Sequence, residues 1–209
     1  AHRDHFRKGG VVMDCGGVKG VVCGPLEKIS KESGFYFIGG HPMAGIERSG
    51  YEFSFPELFQ RASLILTPYP GTPDSCLEEI WQFARRLGFG HLQPSTPQEH
   101  DHIIAYTSQL AHVVSSAYMK SPTGREILGF SAGSFQDMTR VAKLDPELWA
   151  TLFLHNREPL LGEIDVLLDN LTQFRNLLSK KDWNGMVESL DTGRKLREDV
   201  LRRQLGDRN

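Results

Sequence analysis

His41, Arg140 and Lys19 are the side chains of this sequence best placed to act on a small acidic molecule. His41 lies in Gly39-Gly40-His41-Pro42-Met43-Ala44-Gly45-Ile46-Glu47-Arg48-Ser49-Gly50, where four glycines and a proline leave little side chain to pack. Imidazole is easily poised to take a proton near neutral pH. Glycines beside it let a ligand approach the backbone and let the chain adopt positive φ. Asp137 and Arg140 are three apart and so adjacent on a helix. They read either as a surface ion pair, worth little, or as an arginine oriented by its acid to fork a substrate carboxylate. Lys19, just after Gly16-Gly17, is either a solvated lysine or a cation facing an anionic ligand. Ser108, Gln109, His112 and Ser116 recur at offsets of three and four, a polar stripe on an otherwise apolar helix. An unsatisfied buried polar group costs about 1–3 kcal/mol, so the stripe faces core partners, water or a ligand. His100-Asp101-His102 has metal-ligating types, but residues two apart do not share a helix face. No metal is expected.

The elements that must position these residues follow from periodicity and punctuation. Val11 to Cys15, Phe35 to Ile38, Ala62 to Thr67 and Phe89 to Gln93 read as short buried strands bounded by Gly and Pro. A helix over 18–32, kinked at Gly24-Pro25, follows the first strand. Tyr51 to Phe59, broken by Pro56, reads as a loop or short helix over the His41 loop. A helix capped by Thr72, with Pro73 in its first turn, precedes the last strand. The order is α/β, and His41 falls at the carboxyl end of a strand, where open α/β sheets bind ligands. From Pro94 the chain is helical: Thr96-Pro97-Gln98-Glu99 has the form of a capping box. The helix it opens, 97–119, is apolar nearly all round and is expected to be buried. Further helices follow from Phe135, from Leu148 with a kink or restart at Pro159, and over about 182–205. Their long apolar stripes suggest a subunit interface. The opening residues read as the tail of a polar helix, and the missing initiator methionine suggests an amino-terminal truncation.

The 209 residues suit one or two domains. With 39% hydrophobic and 24% charged residues a packed core is available. A net charge of -2 gives no footprint for nucleic acid, and no apolar run is long enough for a membrane span. Three cysteines without a CxxC pair fit a reducing cytoplasm. No G-x-G-x-x-G turn occurs in these residues, so the α/β part reads as the second half of a doubly wound, Rossmann-like domain. The expected layout is a partial dinucleotide-binding domain over 1–95 and a helical substrate-binding and dimerisation domain over 96–209.

The combination of GGHPMAG at 39–45 with Glu47, Ser49 and Gly50, the 108–112 helix, and FQDMTRVAKLDPELW at 135–149 resembles the prephenate/arogenate dehydrogenase family of tyrosine biosynthesis. That resemblance implies a Rossmann domain followed by a helical dimerisation domain. It implies oxidative decarboxylation of prephenate to 4-hydroxyphenylpyruvate with NAD or NADP. His41 would accept the ring hydroxyl's proton as hydride leaves the same carbon. Arg140, positioned by Asp137, would bind a substrate carboxylate. Glu47 would join the polar network at the mouth, His112 would contact the substrate's side chain, Trp149 would close one wall, and Ser108 and Gln109 would line the pocket. Asp14, Gly16, Gly17 and Lys19 are the expected cofactor contacts. A cytoplasmic homodimer is implied, with any inhibition by tyrosine acting at the pocket.

Two positions depart from the family pattern. Many relatives have serine where this chain has Gly17, so a hydroxyl assisting the reacting histidine is absent. Some have histidine where this chain has Gln109, which leaves prephenate and arogenate both open as substrate. Two other readings compete. One is a non-catalytic helical dimerisation or ligand-binding module that kept the pocket. The other is a β-hydroxyacid type of dehydrogenase with Lys143 as its base, which leaves HPMAG unexplained.

Overall fold

A computed structural model describes residues 2–46 and 50–206. Its contacts divide the chain into two compact units, Ala1–Leu161 and Gly162–Asn209.

The first unit is built on a four-stranded sheet of β1 (Val11–Met13), β2 (Tyr36–Pro42), β3 (Ser63–Pro68) and β4 (His91–Pro94), in that spatial order. β1 and β3 run parallel to β2 and β4 respectively, whereas β2 and β3 are antiparallel. Alternation along β2 sends neighbouring side chains to opposite faces. Phe37 packs with Cys23, Leu26 and Ile29 of α1 (Cys23–Ser33), while Ile38 joins Leu64, Leu66 and the Ile80 and Ala84 side chains of α2 (Asp74–Arg86). Burial of each large aliphatic side chain contributes roughly 1.5–3 kcal/mol, so the two helices hold the sheet from both faces.

β2 runs further than the apolar pattern indicates. Gly39 and Gly40 belong to the strand, and neither has positive φ. They are required by close approach: a Cβ on Gly39 would lie 2.2 Å from Thr67 Oγ1, and one on Gly40 would lie 2.6 Å from the Asp14 carbonyl oxygen. His41 therefore projects from a paired strand, opposite Ile65, and not from a loop. That strand end, paired with β3 and tied to Asp14 through the Gly40 N–H, fixes an imidazole better than a loop does.

The helical expectations hold with adjustments. Pro25 lies in the first turn of α1, where its missing N–H costs nothing, so it starts the helix and does not kink it. Thr72 donates its hydroxyl back to the Tyr69 carbonyl and leaves α2 uncapped. The opening residues form one 3₁₀ turn, Arg3–His5, and not the tail of a helix. The segment from Pro97 is one continuous helix in three parts: α3 (Pro97–Ile104), a π-helical stretch (Ala105–Leu110) and α4 (Ala111–Met119). Thr96 caps it by accepting from the Glu99 N–H at 3.2 Å. It is not buried all round: Ile103, Tyr106 and Tyr118 are 47%, 63% and 53% exposed, because only one face packs on the rest of this chain. α5 (Gly133–Thr139) and α6 (Pro146–His155) follow; Asp145 caps α6 through the Glu147 and Leu148 amides. Pro159 sits in the first turn of α7 (Arg157–Lys180).

The second unit comprises the rest of α7 and α8 (Trp183–Gly206), joined by a short turn in which Lys181 has φ of 53°. Leu168, Leu178, Trp183 and Leu196 are all more than half exposed along these helices. No described helix is long and apolar enough to cross a membrane.

Candidate active site

Two groups of predicted residues are organised in the first unit. The first surrounds the turn after β1. Asp14 Oδ2 accepts from the Gly16 N–H at 2.8 Å and from Lys19 Nζ at 2.5 Å, while Oδ1 accepts from the Gly40 N–H at 2.9 Å. Lys19 Nζ also donates to the Gly40 carbonyl at 2.5 Å, and the lysine is completely buried. Both are thus committed to tying β1, the turn and β2 together. The expected contact between the Lys19 ammonium and an anionic ligand is not made available: a buried cation is retained only where it is paired, and this one is.

His41 stands against the same turn. Its Nδ1 lies 2.8 Å from His100 Nε2, and His100 Nδ1 lies 2.7 Å from Asp101 Oδ1. Asp101 in turn accepts the Lys19 and Gly20 backbone N–H groups, each at 2.7 Å. Burial, then the charges of His100 and Lys19, lower the His41 pKa from 6.5 to about 4, against the opposing pull of Asp14 and Asp101. His41 is therefore neutral near pH 7. Burial raises the Asp101 pKa, but the hydrogen bonds from His100 and the two amides outweigh it, so the carboxyl is held below its usual value. The other ring nitrogen, Nε2, faces Gly17: a Cβ there would lie 3.9 Å from Nε2 and 3.4 Å from Leu152 Cδ2 of α6.

The second group lines a cavity of about 390 Å³ whose walls include Ser108, His112, Arg140, Lys143 and Trp149, with Gly45 and Ile46 from the stretch after His41. That volume suits a small organic acid. His112 Nδ1 donates to the Ser108 carbonyl at 2.9 Å, which leaves Nε2 as an acceptor. Its ring stacks on Trp149 at 3.5 Å between centroids and 25° between planes.

Three expectations place differently. Gln109 is 2% exposed; its Nε2 donates to the Leu152 carbonyl and its Oε1 accepts from Asn156. It belongs to a core network and not to the cavity wall. Asp137 is exposed on α5, whereas Arg140 lies beyond the end of that helix at Thr139 and opens a 3₁₀ turn with a different pitch, so the two do not share one helix face. His41 is not on the cavity wall itself, although Gly45 and Ile46 are. Glu47 lies outside the described residues.

The sequence reading missed the pairing of His100 and Asp101 with the strand histidine, since they suggested only metal ligation. Among the described residues no three His, Cys, Asp or Glu side chains are grouped to hold a metal ion. It also considered Lys143 only as a rival base, whereas the structure sets it beside Arg140 in the cavity.

Residues 1–90 match the family model for the nucleotide-binding domain of prephenate dehydrogenase, and residues 96–192 match that for its dimerisation domain. A cyclohexadienyl dehydrogenase of Zymomonas mobilis is 32% identical over 198 residues, covering 92% of this chain and 67% of that protein. A prephenate dehydrogenase of Bacillus subtilis is 28% identical over 94% of this chain, which spans only 54% of that relative's length. Among solved structures, the Aquifex aeolicus prephenate dehydrogenase in complex with hydroxyphenyl propionate and NAD+ superposes with a TM-score of 0.76 at 30% identity, over 91% of this chain and 67% of that one. Synechocystis arogenate dehydrogenase gives 0.76 at 26% identity, over 91% and 69%.

Proposed function

The chain belongs to the prephenate dehydrogenase family, and on that footing we propose that it serves the NAD(P)-dependent oxidative decarboxylation of prephenate to 4-hydroxyphenylpyruvate. The observation that carries this reading is His41: a half-buried imidazole, neutral at pH 7, whose Nε2 faces Gly17, which carries no side chain. His41 Nε2 takes the ring hydroxyl's proton as hydride leaves the same carbon. Once carbon dioxide is lost and the ring aromatises, it returns that proton to the phenol oxygen. Bound NAD or NADP supplies the hydride acceptor. Gly16 and Gly17 are the residues fitted to hold its nicotinamide end, since nothing projects from their turn toward Nε2.

Arg140 and Lys143 receive the substrate's carboxylates, Arg140 by a two-pronged contact that lysine cannot make. Ser108 and His112 contact the side chain, the Trp149 ring closes one wall, and Glu47 is assigned to the mouth on the family pattern alone. Prephenate is placed first because the matching family models and the Bacillus subtilis relative carry that substrate's name. Arogenate is the second reading.

Residues 1–95 act as the cofactor-side domain and residues 96–209 as the substrate and dimerisation domain. The exposed leucines of α7 and α8 support a homodimer. Tyrosine, which carries the product's phenol ring and a carboxylate, competes at the same cavity. Three unpaired cysteines support a reducing, cytoplasmic setting. The test uses the protein encoded by the whole gene, mixed with prephenate or arogenate and with NAD or NADP, following reduced nicotinamide and carbon dioxide together. Equimolar release of both from prephenate is expected. Binding without turnover in all four mixtures would instead favour a non-catalytic module.

A further inference from the structure

We propose that His100 and Asp101 form a relay behind His41: they fix its proton on Nδ1, leave Nε2 as the lone-pair nitrogen facing the substrate, and take up charge as His41 is protonated. The inference rests on the reading of His41 as the proton acceptor.

The direction of each hydrogen bond follows from its anchor. Asp101 accepts two backbone amides and is held below its usual carboxyl pKa, so it is an anion and cannot donate. His100 Nδ1, 2.7 Å from that anion, carries the proton. The relay takes His100 as the tautomer with a bare Nε2, and the 2.8 Å contact then requires His41 Nδ1 to be the donor. His41 Nε2 is left without a proton, which is the tautomer a base needs. A doubly protonated His100 would reverse the second bond and put a proton on the nitrogen that must accept one. Among the described residues, the other charged groups facing His41 are Asp14 and Lys19 from the turn after β1, and these two neutralise one another at 2.5 Å.

During turnover the substrate O–H bond breaks and the proton binds His41 Nε2. The Nδ1 proton shifts along its hydrogen bond toward His100 Nε2, placing the positive charge next to Asp101. When the phenol oxygen regains its proton the shift reverses, so the relay gains and loses nothing over one cycle. His100 is 2% exposed and is not among the residues lining the cavity, which makes it a positioning residue.

The decisive readout is the tautomer, measured by long-range ¹H–¹⁵N NMR of the imidazoles in the ligand-free chain. Both His41 and His100 should show a protonated Nδ1 and a bare Nε2. In His100→Gln the His41 signal should become a mixture, kcat should fall about a hundredfold, the scale of a lost acid–base contribution, and KM should stay within about threefold. Asp101→Asn should produce the same mixture; if it fails to fold, His100→Gln still decides. A protonated Nε2 on His41 in the unsubstituted chain overturns the relay even if the enzyme turns over. The expected tautomer together with an active His41→Asn would leave the relay standing and refute the base.

Discussion

Replacing Lys19 by methionine separates a structural cation from a ligand-facing one. The ammonium is fully buried and makes two contacts of 2.5 Å, to Asp14 Oδ2 and to the Gly40 carbonyl. Methionine keeps the length of the stem but removes the charge, leaving a carboxylate of which 16% is exposed and a carbonyl without its donor. Breaking a buried pair by removing one partner costs about 3–5 kcal/mol. Asp14 keeps its amide donors from Gly16 and Gly40, which places the loss near 3 kcal/mol, the lower end of that range. At about 2–4 °C per kcal/mol for a domain of this size, the melting temperature should fall by roughly 6–12 °C. Urea unfolding should show a lower midpoint at unchanged slope. Asp14→Asn in the same chain should recover part of the loss, since neighbours in one network are not additive. A loss below about 1 kcal/mol, the worth of an exposed pair, with weakened dinucleotide binding, would refute the reasoning and return Lys19 to the role its position in the sequence first suggested.

Three further outcomes follow from the same geometry. Gly17→Ser is sterically allowed, with 3.4 Å to Leu152 and 3.9 Å to His41 Nε2 from the new Cβ; its hydroxyl should raise kcat by up to about tenfold, the worth of one hydrogen bond, and an unchanged or lower kcat would show that this turn needs no hydroxyl. The His41 imidazole should titrate by NMR with a midpoint of about 4 and not 6.5. Its neutral form is the one favoured by folding, so its contribution to stability is complete above about 6.5 and declines as pH falls toward about 4; a stability curve flat across that window would contradict the shift. Lys143→Met should raise KM for prephenate severalfold at nearly constant kcat, and a purely kcat effect would remove it from carboxylate binding.

Much of the scaffold was legible because it depends on local signals. Thr96 as a cap, Pro159 at a helix start and the four strand runs all follow from residue type over a few positions. Gly39-Gly40 was misleading because glycine marks both loops and close approach; the contacts that demand it, Thr67 and Asp14, are distant in sequence. Lys19 is similar, since only the fold reveals that its ammonium points into the sheet end. The cavity wall of Ser108, His112, Arg140 and Trp149 was found on the strength of the family resemblance, and the structure brings these four together. His100 and Asp101 were hidden by their adjacency: the sequence shows two neighbours on one helix, and only the fold, which brings α3 to the carboxyl end of β2, puts one against His41 and the other against the Lys19 and Gly20 amides.

The central claim is that His41 takes the substrate's proton, and steady-state kinetics of His41→Asn in the protein encoded by the whole gene test it most directly. Asparagine can still hydrogen-bond the ring hydroxyl but cannot accept its proton, so kcat with prephenate should fall by about 10²–10⁴-fold while KM changes little. An unaltered kcat would contradict the account.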